Sequence, residues 1–407
     1  MDIRPIDAEQ LESFFAAMSG PFGFDLPDDA DARGGMLAQV SRIFEPERSR
    51  CAFDGDRMVG TLGTFSFQMT TPGGSMPVAG TTMVTVQTTH RRRGVMRAMM
   101  EAHLQESIER GDTAAALWAS DSAIYGRFGY GMAAFNTELE IDRRHVDFHR
   151  LAPTPAVVEP VDVETLRPAA IEVYDRLRQT VPGMVGKSEG WWDRIFSDRQ
   201  GGGEGTTVPR HCLVTEDGHA TGWVRYRLKN TEGHGHPAQD VLVDQLYAVT
   251  PEAWAGAWQH VLSHDFGHLI KARLRPIDDP IHSLLRGMRR VKTTRFDGLF
   301  VRVLDVPAAL GSRHYGTAGS VSLEVSDPMG IAPGTYRLET DGTASEISRV
   351  DDADIALDVE DLGALLLGGR SAVELARAGR IDGPDDQIDL LDRMFRWAPQ
   401  PWSPIIF

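Results

Sequence analysis

The sequence predicts a mixed α/β fold divided into two or three domains, and three observations carry that prediction. The chain has 407 residues, which at about 150 per domain suggests two or three units. A strand, a basic turn, an amphipathic helix and a buried strand follow one another between residues 84 and 119, and a strand followed by a helix recurs at 241–265. From Arg295 onward the texture changes to short antiparallel-type strands and short helices.

Composition bounds the partners. Apolar types make up 42% and charged types 25%, with 41 glycines. This is an ordinary soluble composition, long enough for several cores without a metal or disulfide staple. The net charge of -16, from 42 basic against 58 acidic residues, argues against a nucleic-acid binder or a protein of anionic membrane surfaces. One local basic site remains compatible with it. Cys51 and Cys212 are the two cysteines; they exclude a disulfide framework but not one bridge. No run approaches about 18 consecutive apolar residues. The start, Met1-Asp2-Ile3-Arg4-Pro5, has neither a basic n-region nor an apolar h-region,. The expectation is a soluble cytoplasmic protein with no nucleic-acid or membrane partner.

The elements follow in order. Leu11, Phe14, Phe15 and Met18 give residues 7–18 helical spacing, and Ser19-Gly20-Pro21 is expected to stop that helix,. Residues 51–69 read as two strands about a turn at Asp54-Gly55. Thr71-Pro72-Gly73-Gly74 is another turn, and residues 78–87 another strand region. Val84 and Val86 alternate with Thr85 and Gln87, the period of two of a strand,. Beyond residue 94, Val95, Met96, Met99, Met100, His103, Leu104 and Ile108 recur every three or four residues, an amphipathic helix that Gly111 is suited to end,. Residues 114–119 read as a buried strand, followed by a glycine-rich aromatic segment. Residues 136–160, with Pro153-Thr154-Pro155, read as a connection. Residues 167–178 read as a helix with Pro168 in its first turn, and 200–205 as a flexible glycine loop. Residues 211–215 and 222–228 read as paired strands and 241–249 as a further strand. Thr250-Pro251 then starts a helix. In the last third, 299–304, 321–325 and 335–340 read as strands, and 362–367, 372–378 and 387–397 as helices. The tail 398–407 holds three prolines, so it is not helical. It is apolar for a free end, so it is expected to be docked.

Two segments carry chemistry. His90-Arg91-Arg92-Arg93-Gly94 lies between strand and helix. Backbone N–H groups at a helix N-terminus are unsatisfied and form the positive end of the dipole. Phosphate binds there, arginines add charge-assisted bonds, and a glycine lets the backbone approach a ligand. The plainer reading is a solvated basic helix start. The second segment, residues 120–131, places Tyr125 just beyond the following strand; alone it would equally be an aromatic-glycine hairpin filling a core. Together, a pyrophosphate-binding turn, a helix, a strand and a tyrosine describe one architecture.

These residues resemble a family. VTVQTTHRRRGVMRAMMEAHL, ALWASDSAIYGRFGYG and DGLFVRVLDVPAAL are similar to segments of the GNAT superfamily of N-acetyltransferases. They resemble more closely the enhanced intracellular survival (Eis) acetyltransferases of actinobacteria, over essentially the whole chain. The resemblance implies an α/β (α+β) protein. Residues 1–140 would be a catalytic GNAT domain, 141–294 a second, degenerate GNAT-like domain, and 295–407 a sterol-carrier-protein-like α+β domain. It further implies acetyl-CoA as co-substrate, no metal, a homo-oligomer (hexamer), and acetylation of a cationic amine, either an aminoglycoside-like polyamine or a protein lysine. By position, Val84 and Val86 would contact the pantetheine arm, and Arg91, Arg92, Gly94 and Val95 the pyrophosphate. Tyr125 would be the general acid, and Phe407 the terminal residue whose carboxylate reaches the active site. Phe24, Asp25 and Met83 would border the acceptor; for Phe22, Phe24 and Asp25 a core pair with Asp in a turn is an equal reading. Met96 departs from the superfamily, which has Gly or Ala there. The competing class is a non-catalytic binder of CoA or of an apolar ligand, against which Arg91, Arg92, Gly94 and Tyr125 all stand intact.

Other signals are weaker. His260, His264 and His268 recur every four residues, a spacing compatible with zinc on one helix face, but with no HExxH a structural reading is preferred,. Residues 233–238 imitate a dinucleotide fingerprint but follow a polar loop, which rejects them. No Gly-x-Ser-x-Gly elbow occurs.

Overall fold

Two of the three sheets are built on the same device: a strand, a helix packed across it, and a second strand parallel to the first. The computed structural model describes residues 1–149, 155–197, 205–233, 236–265 and 267–407. The first sheet has the order Asp2–Arg4, Cys51–Asp54, Arg57–Thr71, Gly74–Val86, Ala114–Trp118, Leu299–Val303, Gly131–Met132. Its one parallel pair runs only from Val78 opposite Ala114 to Gly80 opposite Ala116. Beyond that the strands part. Between them the chain passes through the helix Val95–Glu109, which buries Met99, Met100 and Leu104 completely against Val59, Leu62 and Leu117. Each such side chain contributes about 1.5–3 kcal/mol on leaving water.

The first helix spans Leu11–Phe22 and runs through Pro21, past its expected stop, to Gly23 at φ 73°. Pro21 cannot donate to the carbonyl of Ala17, as an ordinary residue would. The Gln87 side-chain amide donates to that carbonyl instead, at 2.6 Å. The substitution of donors ties the helix to the basic turn. A second helix, Ala30–Val40, has no apolar period to announce it and buries only Val40.

The second sheet has the order Val291–Asp297, Phe135–Asp142, Gly267–Arg275, His236–Ala248, His219–Gly233, Arg210–Glu216, Val157–Pro160. Its parallel pair ends with Val243 opposite Ala272. The helix Pro251–Leu262 lies between these strands in sequence, so the repeat expected at 241–265 follows the path of the first. Two expectations are corrected here. The connection expected from residue 136 begins as the strand Phe135–Asp142, in which Thr137, Leu139 and Ile141 are buried. Glu138, Glu140 and Asp142 interleave with them in the period of two of a strand,. The helix expected at 167–178 starts at Val163, capped by Asp162, so Pro168 falls in its second turn rather than its first.

The strands also cross between sheets. Phe135–Asp142 pairs within the second sheet, and Leu299–Val303 returns to pair with Ala114–Trp118 and Gly131–Met132 in the first. Sheet membership therefore does not follow the expected edges at residues 140 and 294.

The third sheet contains Gly319–Ser326, Gly334–Thr340, Ser345–Arg349, Ile355–Asp358 and Ile381–Asp382, with the helices Val359–Leu365, Ala372–Arg377 and Asp385–Phe395. The tail is docked, with Trp402, Ser403, Ile405 and Phe407 buried. His268 lies on the strand Gly267–Arg275 and the preceding helix ends at Leu262, so the three histidines do not share a helix face. Gly233 closes a strand rather than a polar loop, and no helix follows it. Residues 234 and 235, Pro153-Thr154, and 200–204 of the expected glycine loop lie outside the described residues. Among the described residues, no helix is long and apolar enough to cross a membrane.

Candidate active site

The basic turn is held open by its backbone. Arg92 sits at φ 63° and Gly94 at φ 77°. A Cβ on Gly94 would meet nothing within 4 Å, so conformation, not crowding, calls for glycine there. His90 anchors the turn between Thr89 at 2.8 Å and Asp54 at 3.2 Å. Among the described residues, no side chain caps the first turn of Val95–Glu109, and that turn contains no acidic residue. Its N–H groups therefore stand free for an anion.

In front of this turn lies a cleft of about 820 Å³. Val84, Val86, Arg91, Arg92, Gly94 and Val95 all line it, as do Arg97, Arg127 and Met96. Among its described lining residues none is a carboxylate. Beyond Gly80 the strand edge facing the cleft has no ladder partner among the described residues, so its backbone groups, apart from the Val86 carbonyl that accepts from Arg91 at 3.5 Å, are available to an amide-bearing arm,. These features fit a polyanion carrying an extended amide chain.

A bulge directs the strand's side chains. Pairing shifts register between Thr61 and Gly63, Met83 adopts φ 53°, and the Thr61 hydroxyl donates to the Met83 carbonyl at 2.8 Å,. Met83 consequently lines a second cavity, of about 580 Å³, together with Phe24, Phe407, Phe65, Trp118 and Trp191. Phe22, Val84, Ser120 and Tyr125 line both cavities. Tyr125, 5% exposed, thus stands at their junction, with its ring edge-on to Tyr130 at 6.1 Å. Burial pushes its phenol above the ordinary tyrosine range; a hydrogen bond with Ser120 opposes this and Asp121 adds to it. It is protonated at neutral pH.

The third unit buttresses the tyrosine loop. A Cβ on Gly126 would come 2.8 Å from the Glu360 carboxylate, and one on Gly129 2.8 Å from the Arg302 guanidinium. Arg302 is itself fixed by Asp327 at 2.6 Å, both side chains fully buried.

Asp25 is the one expected site residue that lines neither cavity. The first helix carries Phe22 into both cavities and ends at Gly23. Phe24 then faces the second cavity, and Asp25, next in a non-helical segment, is exposed outside it. Trp191 and Arg194 were not anticipated. They come from the helix Glu189–Phe196, which packs beside the second sheet's unit, and no local signal announces them. Arg127 lay within the quoted tyrosine segment and its charge was the available clue.

The equivalent gap in the second sheet is crossed by the protein's own side chains, which leave a smaller cavity of about 420 Å³ lined by Ala248, Val249, Trp254 and Trp402. Arg275 reaches across it to donate to the Leu246 carbonyl at 2.7 Å and is paired to Asp279 at 2.8 Å. Trp402 from the tail donates to the Leu274 carbonyl at 2.7 Å, and the Gln400 N–H donates to Asp278 at 3.0 Å. At the head of the following helix, Thr250 caps the Ala253 N–H, Pro251 has no N–H to offer, and Glu252 and Glu216 bring negative charge.

Splayed parallel strands, an uncapped helix head among arginines and a buried tyrosine where two cavities meet are the working parts of a GNAT-type acyltransferase. Residues 2–133 and 183–303 each match a family described as Acetyltransferase (GNAT) domain, and residues 306–404 match Sterol carrier protein domain. The chain is 34% identical to N-acetyltransferase Eis of Mycobacterium tuberculosis over 82% of this chain and 82% of that protein. An uncharacterized N-acetyltransferase of Streptomyces avermitilis is 39% identical over 89% of this chain and 90% of that one. The crystal structure of Eis1 from Mycobacterium abscessus superposes with a TM-score of 0.86 at 28% identity, covering 100% of both chains. The chain belongs to the Eis family of GNAT N-acetyltransferases and is an acetyltransferase enzyme.

Proposed function

We propose that this enzyme transfers the acetyl group of acetyl-CoA to a primary amine by direct attack within a ternary complex. The observation that carries this is the meeting of two cavities at Tyr125 and Val84. The larger cleft would hold the co-substrate, its phosphates at Arg91, Arg92, Gly94 and Val95 and its pantetheine arm along Val84 and Val86. The second would hold the acceptor. The amine nitrogen forms a bond to the thioester carbonyl carbon, the C–S bond breaks, one amine proton departs, and the sulfur gains one.

Tyr125 would act on the leaving sulfur. An ordinary phenol near 10 is already about 2 kcal/mol uphill as a donor to a thiolate near 8.5, and burial raises the Tyr125 phenol further. Its role is therefore chiefly a hydrogen bond to developing negative charge, with proton transfer completed late. A carboxylate at Phe407, with an ordinary pKa of about 3.5, is a weak base. We assign it a role through water or in drawing in the amine. Thiol release with acetyl-CoA and an amine panel that includes an aminoglycoside and a lysine peptide tests the reading. Acetyl-CoA binding without thiol release would favour the non-catalytic binder. A chain extended beyond Phe407 that keeps full activity removes Phe407 from the mechanism. The same proposal includes a homo-hexamer; a light-scattering mass of one 44.8 kDa protomer would exclude it.

A further inference from the structure

Arg275 and Trp402 do not fill the gap in the second sheet completely. The cavity they leave, of about 420 Å³, has about half the volume of the cleft at the basic turn. Trp254, Trp402, Pro276 and Pro399 form apolar walls. Among its described lining residues, the charged ones are Asp278 and Arg176.

The charges in this corner do not balance. Arg176 donates to the Ala220 carbonyl at 2.9 Å and lies 3.7 Å from Glu172. Arg275 is matched to Asp279 at 2.8 Å. Asp278 accepts the Gln400 N–H at 3.0 Å, and no basic side chain among the described residues pairs with it. Partial burial and the like charge of Asp279 push its carboxyl up, against the backbone hydrogen bonds it accepts. One carboxylate is therefore left without a counter-charge beside aromatic rings. Those rings already take one cation, since the Arg275 guanidinium lies 5.2 Å from the ring centres of both Trp254 and Trp402. A cation is drawn to the face of an indole, most strongly where both are out of water. An anion would be repelled by Asp278. A neutral body would leave that carboxylate desolvated and unpaired.

We propose that this cavity binds a compact organic monocation, an ammonium on a small apolar body, with its charge at Asp278 and its apolar face on Trp254. The site is separate from the second cavity, and its occupation does not depend on which amine is acetylated. A ligand seated here touches Pro399, Gln400 and Trp402, in the tail that ends at Phe407 in the second cavity. The second acetyltransferase unit would thus keep a ligand site of its own, in the place where the first holds its cleft.

The test is calorimetry of the full chain, without acetyl-CoA, using choline and 3,3-dimethylbutan-1-ol. The alcohol has the shape of choline with carbon in place of the charged nitrogen. Choline should bind saturably at one per chain, and about tenfold or more tightly than the alcohol. Asp278→Asn removes the charge and keeps an oxygen for the Gln400 N–H. It should weaken choline binding by about tenfold. Trp254→Leu keeps apolar bulk and removes the ring, and should weaken it by about fivefold or more. No saturable binding up to about 10 mM choline overturns the assignment. So does equal affinity for the alcohol, or an affinity for choline unchanged in either variant.

Discussion

In the first acetyltransferase unit the parallel strands part after Gly80 and Ala116 and leave an open cleft; in the second they part after Val243 and Ala272, and Arg275 and Trp402 fill the gap. The chain path is shared and the chemistry is not. Three local features separate the units. One helix head is uncapped, the other is capped by Thr250 and starts with proline. One is surrounded by arginines, the other by Glu216 and Glu252. One strand edge is free, while the other is satisfied by the protein's own side chains. A fold can thus be duplicated and one copy turned from a ligand site into a socket for the chain itself.

The comparison can be broken most severely at the charges. Arg91→Glu with Arg92→Glu gives the first turn the electrostatic sign of the second. Losing two charge-assisted bonds should weaken acetyl-CoA binding by about a hundredfold or more, measured by calorimetry. Removing Tyr125 from the junction comes next. Tyr125→Phe should lower kcat by about a hundredfold with little change in acetyl-CoA affinity, and full turnover would sink its assignment. The socket can be emptied with Trp402→Ala, which should destabilise the fold by about 3–5 kcal/mol. It should leave acetyl-CoA stoichiometry at one per chain, because the second helix head still repels phosphate. A second equivalent in calorimetry would contradict that account.

Smaller effects sharpen the contrast. His103, on the first unit's helix, is buried between Thr64 at 3.0 Å and Thr81 at 2.8 Å. Burial, reinforced by Arg48 and Arg50, pushes its imidazole down to about 3. Its folded pKa thus lies below the unfolded value of about 6.5. Its contribution is complete above that value and is lost as pH falls toward 3, reaching about 2 kcal/mol by pH 5. Thermal unfolding between pH 5 and 7 checks the slope, which His103→Asn should flatten. His260, on the second unit's helix, is less buried, and burial with the neighbouring His264 pushes its imidazole down as well. Least of all, Gly94→Ala forces an L-residue to φ 77°. It should cost about 1–2 kcal/mol in thermal unfolding, with no clash to add to it.

The cleft at the basic turn was legible because its parts are contiguous. Charge, glycine and the switch from a period of two to one of 3.6 all fall within residues 84–104, and local chemistry fixes what they do. The second cavity was not, because its walls come from the first helix, the strand Arg57–Thr71, a helix of the other unit and the tail. Phe24 lines the second cavity and its neighbour Asp25 does not, since one residue of non-helical chain separates inside from outside. Trp402 and its partner Leu274 are 128 residues apart, a distance over which no sequence pattern operates. The strand Phe135–Asp142 carries the period of two in Thr137, Leu139 and Ile141 between acidic residues, so it was legible in the sequence,.

The placement of Leu299–Val303 between Ala114–Trp118 and Gly131–Met132 has a bearing on how the molecule comes into being. A ribosome that has released residues 1–133 has made the whole basic turn, yet the strand that belongs beside Ala114–Trp118 is still untranslated. The loop carrying Tyr125 waits longer, for Val359–Leu365 to arrive behind it, and the acceptor cavity longer still, for Phe407. Synthesis therefore orders maturation, with the basic turn first and the second cavity enclosed only after the elements that follow it in the chain.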